Sequence, residues 1–436
     1  ESDTVVYFIY RGSGTSITVP GDANGWEPTA FSMTRLADTD FWYREAIFEI
    51  DARLDYKFVI NGINWILDPR NPRQVSGGFG PNSELAMPEY IDPPEIEFNP
   101  EIPKGALHDT TFFSATLNNS RRIRIYTPPS YDPAGSDSFP VVLFHDGQEY
   151  LALASTKNTF DNLIAENRIQ PLIGVFVPPV DRNNEYAFSK SAQFETFIID
   201  ELMPAIDERW RTKRNPESRA MIGVSFGGLI STQICYNNPE VFGLSGPFSP
   251  AYWPNGMEIF NMVANGPEKN IRFYMDWGTY EPSILNDGRA LRDILIGKNY
   301  KIHWEEWHEG HSWGSWRAHL DIALEYFFPG PLVSIETPET AAIPETVELL
   351  QNFPNPFNPS TTIRYRLSQT SSVTLTIYDM LGQKIQTLVN ETQQPGEKSV
   401  VWEGRDQFGR QVSSGVYVYR IEAGNFSSMK KMVLIR

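Results

Sequence analysis

At 436 residues, with 41% hydrophobic, 13% aromatic and 21% charged side chains, the chain is too long for one ordinary core and too apolar to stay unfolded. A formal charge of −17 disfavours nucleic acid and anionic membranes as partners, because like charges repel; a neutral polymer or a small uncharged ester is easier to accommodate. One cysteine, Cys235, rules out an internal disulfide framework and a Cys-based metal site. No apolar run approaches the ~20 residues that span a bilayer. The sequence begins at Glu1 without Met or a signal-like apolar segment, from which a mature protein that has lost its leader is expected.

Residues 1–92 read as short alternating strands at Thr4–Tyr10, Ser16–Val19, Trp42–Phe48 and Tyr56–Ile60, broken by turns such as Asn61-Gly62, the pattern of a small β-sandwich. Within them, Gly21-Asp22-Ala23-Asn24-Gly25-Trp26, Tyr56-Lys57-Phe58-Val59-Ile60-Asn61-Gly62 and Asp68-Pro69-Arg70-Asn71-Pro72 resemble the family 48 carbohydrate-binding module. An exposed Trp26 or Trp65 would offer a flat face to a sugar ring, whereas buried ones would fill the sandwich.

Proline and charge replace periodicity from Asp92 to Pro100, which reads as a linker over 93–103. Residues 104–328 then alternate apolar runs (Val141–Phe144, Leu172–Val177, Met221–Val224, Ile271–Met275) with helical patterns at Ala192–Arg209 and Gly227–Tyr236. That alternation predicts an α/β domain with a parallel sheet covered on both faces. Cys235 falls in the second helical pattern and reads as buried. A second linker, rich in Pro, Thr and Glu, covers 329–348.

Residues 349–436 return to strict alternation, in Ser372–Asp379 and Gly415–Arg420, and read as an immunoglobulin-like all-β sandwich. Asn352-Phe353-Pro354-Asn355-Pro356-Phe357-Asn358-Pro359, Tyr378-Asp379-Met380-Leu381-Gly382, Trp402-Glu403-Gly404-Arg405-Asp406 and the closing Met429–Ile435 resemble the sorting domain of type IX secretion substrates. The resemblance implies recognition by that secretion machinery, export across a bacterial outer membrane, and a secreted or surface-attached product.

The chemistry concentrates in Gly223-Val224-Ser225-Phe226-Gly227, a G-x-S-x-G pattern between an apolar run and a helix. Such a turn presents a serine hydroxyl above the sheet, and its glycines allow strand and helix to approach. A nucleophilic Ser225 then requires an acid and a histidine later in the chain. His303 lies inside an alternating strand and His319 in a closing helix, while His311 follows Glu309-Gly310 in a loop, where a base belongs; His308 is the alternative. For the acid, Glu281 lies beyond the turn Asp276-Trp277-Gly278-Thr279-Tyr280, with Asp276 and Asp287 as competitors. Two backbone donors for an oxyanion are expected from Phe226, directly after the nucleophile, and from Gln148 in the loop His145-Asp146-Gly147-Gln148.

Phe144-His145-Asp146-Gly147-Gln148, Asp181–Tyr186, Gly223–Gly228, Gly278-Thr279-Tyr280-Glu281 and Gly310-His311-Ser312-Trp313-Gly314-Ser315-Trp316-Arg317 together resemble the esterase D-type esterase family over about 104–328. That family holds the carbohydrate esterase family 1 feruloyl and acetyl xylan esterases and the enterochelin esterases. The resemblance implies a Ser225–Glu281–His311 triad and no metal or organic cofactor. Two departures stand out: Glu281 occupies a position where many members carry Asp, and Glu309-Gly310 replaces a common Gly-Gly. Tyr150, Arg182, Trp253, Trp313, Trp316 and Arg317 are the candidate substrate contacts, with Tyr186 and Tyr252 further aromatics near the motifs. The expected activity is hydrolysis of feruloyl, acetyl or similar esters on plant polysaccharide. The alternatives are a siderophore trilactone esterase and a binding protein on an inactive hydrolase scaffold.

Overall fold

The structure is a computed structural model describing residues 4–78, 80–330, 347–350, 352, 355, 357–380, 382–424 and 426–434. The chain divides into two compact units, Glu1–Leu332 and Val333–Arg436. Most of the second expected linker, residues 331–346, lies outside the described residues.

Among the described residues, nine short strands open the first unit: β1 (Val5–Arg11), β2 (Ile17–Thr18), β3 (Thr34–Arg35), β4 (Phe41–Ile47), β5 (Arg53–Tyr56), β6 (Phe58–Ile60), β7 (Asn64–Ile66), β8 (Gln74–Gly77) and β9 (Gly80–Ala86). They pair as three small sheets, β1-β4-β3, β2-β6-β7 and β5-β9-β8. Their shared core includes Phe8, Trp42, Leu54, Tyr56 and Phe58. Trp65 is 41% exposed on β7, and Trp26 is half-buried with its Nε1 donating to Asp22 Oδ1 at 2.9 Å. Neither fills the core.

The expected linker at 93–103 is pinned rather than free. Asn162 Nδ2 donates to the carbonyls of Glu95 and Glu97, each at 2.8 Å, and Asn158 Nδ2 donates to Ile96 O at 2.9 Å. The first β segment and the α/β segment therefore pack as parts of one unit.

That α/β segment carries β10 (Ala106–Ser114), β11 (Asn119–Thr127), β12 (Val141–His145), β13 (Ile173–Val177), β14 (Arg219–Val224), β15 (Leu244–Phe248), β16 (Arg272–Gly278) and β17 (Lys301–Trp307). Its helices are α1 (Gly147–Ala152), α2 (Thr156–Ala165), α3 (Arg182–Tyr186), α4 (Ser191–Thr196), α5 (Met203–Arg209), α6 (Phe226–Asn237), α7 (Pro254–Asn265), α8 (Pro282–Gly297), α9 (Trp313–Ala318) and α10 (Leu320–Phe327). One sheet runs in the order β10-β11-β13-β12-β14-β15-β16-β17. β10, β11 and β13 pair antiparallel, and β13 through β17 run parallel. Every residue of β12, β13, β14 and β15 is buried, as expected of parallel strands with helices on both faces; separate apolar clusters fill the two sides. Cys235 is buried in α6. This is an α/β-hydrolase-like architecture, and ligands of such sheets bind at the carboxyl ends of the strands.

The second unit holds β18 (Glu348–Leu349), β19 (Thr361–Leu367), β20 (Ser371–Asp379), β21 (Lys384–Gln393), β22 (Gly396–Trp402), β23 (Gly415–Ala423) and β24 (Phe426–Leu434). They form the sheets β18-β19-β22 and β21-β20-β23-β24. Alternate residues such as Ile363, Tyr365, Leu375, Ile377, Tyr419 and Ile421 are buried in one core, the period-two pattern read from the sequence.

Candidate active site

Ser225 sits between β14 and α6 with φ 57° and ψ −120°, a strained conformation for a residue with a side chain. The turn closes only because Gly223 lacks a Cβ, which would overlap the carbonyl of Gly227. A backbone hydrogen bond from Ser225 N–H to Phe248 O at 3.0 Å ties the turn to the end of β15. Ser225 is half-buried.

The candidate acid and base lie just beyond the ends of β16 and β17. Glu281 precedes α8, its carboxylate 1% exposed. Its Oε2 accepts from Gly278 N–H at 2.9 Å and its Oε1 from His311 Nδ1 at 2.7 Å. A carboxylate holding both donors fixes the imidazole's rotation and leaves Nε2 as the free acceptor. A Cβ on Gly278 would overlap the carbonyl of Glu309, so this glycine lets the two loops lie against each other. The His311 ring packs edge-on against Trp316, centroids 4.8 Å apart. Trp316 Nε1 in turn donates to Ser249 Oγ at 2.9 Å, two residues before the Ala251 N–H that reaches back to Ser225 O at 3.2 Å. Ser225 Oγ itself has no hydrogen-bond partner among the described residues; Ser–His bonds of this kind commonly tighten only with substrate.

The competing histidines have other partners. His308 Nδ1 meets Asp51 Oδ1 at 2.6 Å, and that bond raises its pKa above the ordinary imidazole value. His303 stacks on Tyr274 within β17. His319 is buried, stacked on Trp307, with Nε2 3.2 Å from Glu309 Oε1. Of the competing acids, Asp276 is buried inside β16 beside Tyr274 and His319, and Asp287 lies within α8.

Burial pushes the Asp276 carboxyl up to about 8. Burial opposes a charged His319, yet the neighbouring Glu309 and Asp276 carboxylates leave its pKa raised. Both groups hold protons more tightly in the folded chain than in the unfolded one. The stabilisation from Asp276 is complete below its ordinary value of 3.8 and is lost as pH rises toward about 8; that from His319 is complete below its ordinary value of 6.5 and is lost at higher pH. The denaturation midpoint is therefore expected to fall from pH 5 to pH 8, with Asp276 contributing up to about 1.4 kcal/mol per pH unit. Asp276→Asn should flatten that decline, as measured by urea unfolding at each pH.

Phe226 and Gln148 lie in the first turns of α6 and α1, where helix geometry leaves N–H groups without intrahelical partners. Their loops are adjacent: a Cβ on Gly227 would meet Asp146 Oδ2 at 3.3 Å.

Among the expected substrate contacts, only Trp253 presents open apolar surface. It is 53% exposed and packs beside Phe226 and Phe188, centroids 5.3 and 6.4 Å away; Phe188 was not anticipated. Tyr150, Trp313 and Trp316 instead form a buried edge-to-face cluster, 0%, 7% and 6% exposed. Tyr186 and Tyr252 are also buried. Arg182 makes a bidentate pair with Asp146 at 2.8 and 2.7 Å, and Arg317 faces Glu84 of the first β segment at 3.8 Å.

Residues 358–426 match the FlgD Ig-like domain. An endo-1,4-β-xylanase/feruloyl esterase of Xylanibacter ruminicola is 26% identical over 213 residues, 46% of this chain and 25% of that protein. An iron(III) enterobactin esterase of Escherichia coli is 24% identical over 322 residues, 66% of this chain and 80% of that one. The enterobactin esterase of Shigella flexneri shares the fold with a TM-score of 0.63 at 23% identity, covering 74% of this chain and 92% of its own. Residues 114–327 match the family described as Putative esterase, and feruloyl and enterobactin esterases are among the proteins this chain is similar to.

Proposed function

We propose that the chain is a serine carboxylic ester hydrolase working through an acyl-enzyme. His311 Nε2 takes the proton of Ser225 Oγ as that oxygen attacks the ester carbonyl. The tetrahedral oxyanion is held by the N–H groups of Phe226 and Gln148. Collapse breaks the ester C–O bond, and the alcohol leaves with the proton from His311. Water then repeats the sequence, deprotonated by His311, and releases the acid and the free serine. The observation that carries this reading is the Glu281–His311 bond of 2.7 Å, with the His311 ring against Trp316, which bonds Ser249, two residues before the Ala251 that bonds the strained Ser225.

The substrate class proposed is a feruloyl, acetyl or similar acyl ester on plant polysaccharide. The Xylanibacter relative's name includes feruloyl esterase, and Phe188, Phe226 and Trp253 offer an aromatic surface next to the nucleophile. Exposed Trp65 suits a sugar ring. The C-terminal Ig-like unit is proposed as the export signal read by a type IX secretion machinery, giving a secreted or surface-attached enzyme. A trilactone esterase is the second reading, favoured by the likeness to the E. coli enterobactin esterase over 322 residues, more than the α/β segment alone contains. Values of kcat/KM on methyl ferulate, acetylated xylan and an enterobactin-type trilactone separate them. The polysaccharide reading expects either of the first two to exceed the trilactone at least tenfold. The reverse order selects the second reading, and no turnover of any ester overturns both.

A further inference from the structure

The loop bearing His311 is gripped by the first β segment. Arg53, at the start of β5, donates its backbone N–H to His308 O at 3.0 Å and forms a bridge with Glu309. Its guanidinium is fully buried, and Nη1 donates to Ser312 Oγ at 2.9 Å. Asp51 meets the His308 ring. Gly310 lies so close to Asp22 that a Cβ would overlap that carboxyl group, and a Cβ on Gly314 would overlap the Arg53 guanidinium. Residues 308, 309, 310 and 312 thus each touch the β segment, leaving His311 turned to its partner Glu281. The acid loop is fastened to the same surface, with Tyr280 OH donating to Glu49 Oε2 at 2.6 Å.

We propose that the first β segment is a working part of the catalytic centre, with Arg53 the positioning residue that holds the His311 loop in register. The inference rests on Ser225, His311 and Glu281 forming the triad. Burying a guanidinium is costly unless charges and hydrogen bonds compensate it. Here Asp55 Oδ1 at 2.6 Å and Glu84 Oε2 at 3.3 Å supply opposite charge at Nη2, both from the β segment; Nη1 reaches the residue that follows His311, and Nε has no hydrogen-bond partner among the described residues. Buried ionic groups are weak evidence of stability and in some proteins fix register instead, the role assigned to this cluster. Register matters here because a displacement of about 1 Å at a reacting group costs on the order of 100-fold in rate.

Arg53→Met, Ser312→Ala and their double variant in the full chain test this with p-nitrophenyl acetate. Turnover is normalised to the fraction of molecules that a fluorophosphonate labels at Ser225. Each single change is expected to lower kcat per labelled site roughly 10- to 100-fold, with KM within about twofold. The double variant should lose no more than Arg53→Met alone, since both remove the same contact, and Arg53→Lys should recover part of the loss. Ser312→Ala keeps the β segment intact but also removes the cap that Ser312 Oγ provides to Ser315 N–H at the start of α9, so Ser312→Gly, which lacks the hydroxyl but is a tolerated N-cap, is measured beside it, and the two together decide the matter if Arg53→Met does not fold. If wild type is labelled and active while kcat is unchanged in Ser312→Ala and in any folded Arg53 variant, Arg53 only joins the two segments and the inference fails. A wild type neither labelled nor active removes the serine reading, and this inference with it.

Discussion

Replacing His311 by glutamine is expected to lower kcat on the order of a millionfold, and Ser225→Ala by a similar factor. The double variant should be no slower than either single one. The proton acceptor and the nucleophile act as one unit: without Nε2 the hydroxyl keeps its proton, and without the hydroxyl the base has nothing to activate. Glutamine retains much of the packing against Trp316, and His311 is partly open to solvent, so the melting temperature should move little. Steady-state kinetics on p-nitrophenyl acetate for both single variants and the double variant measure this. Multiplying losses would mean that the two residues act independently.

Glu281→Gln is expected to reduce kcat by about 10⁴-fold at neutral pH. The carboxylate offers one oxygen to Gly278 N–H and the other to His311 Nδ1. A glutamine has a single acceptor oxygen. With that oxygen on Gly278, its NH₂ faces Nδ1 and favours the tautomer carrying the proton on Nε2, which cannot accept one from serine. Turned the other way, it sets NH₂ against the Gly278 donor. Glu281→Asp keeps the charge but shortens the reach, and should recover part of the rate. Equal rates for Glu281→Gln and wild type would remove this carboxylate from the triad and return Asp276 or Asp287 to consideration.

What could be read from sequence follows from how local the constraint is. The elbow was legible because its geometry admits few residue types: glycine at 223, where strand meets helix, and a serine in the bend. The β12, β13, β14 and β16 runs were legible because parallel strands buried on both faces need continuous apolar stretches. β15 was not: Leu244-Ser245-Gly246-Pro247-Phe248 carries the serine, glycine and proline that strand preferences disfavour. It is held as a strand by neighbours on both sides.

The acid stood open among three carboxylates because sequence spacing does not distinguish a side chain inside a strand from one just beyond it. Depth does: Asp276 is enclosed by Tyr274 and His319, whereas Glu281 starts a helix facing the histidine loop. The acidic partners of Arg182 and Arg317 were not legible for a related reason. Their partners Asp146 and Glu84 are 36 and 233 residues away along the chain, and no local pattern announces a pairing at that range. The burial of Tyr150, Trp313 and Trp316 is likewise a product of packing between α1 and α9. The grip of Arg53 on Ser312 had no signal at all, because it joins two segments that look like separate modules.

The most direct test of the hydrolase account is to quench the enzyme with acid during turnover of methyl ferulate or a p-nitrophenyl ester and map the covalent adduct by peptide mass spectrometry. The account predicts an acyl group on Ser225 that accumulates within one turnover and is absent from Ser225→Ala. Acylation at another residue, or steady ester hydrolysis that persists undiminished in Ser225→Ala, would contradict it.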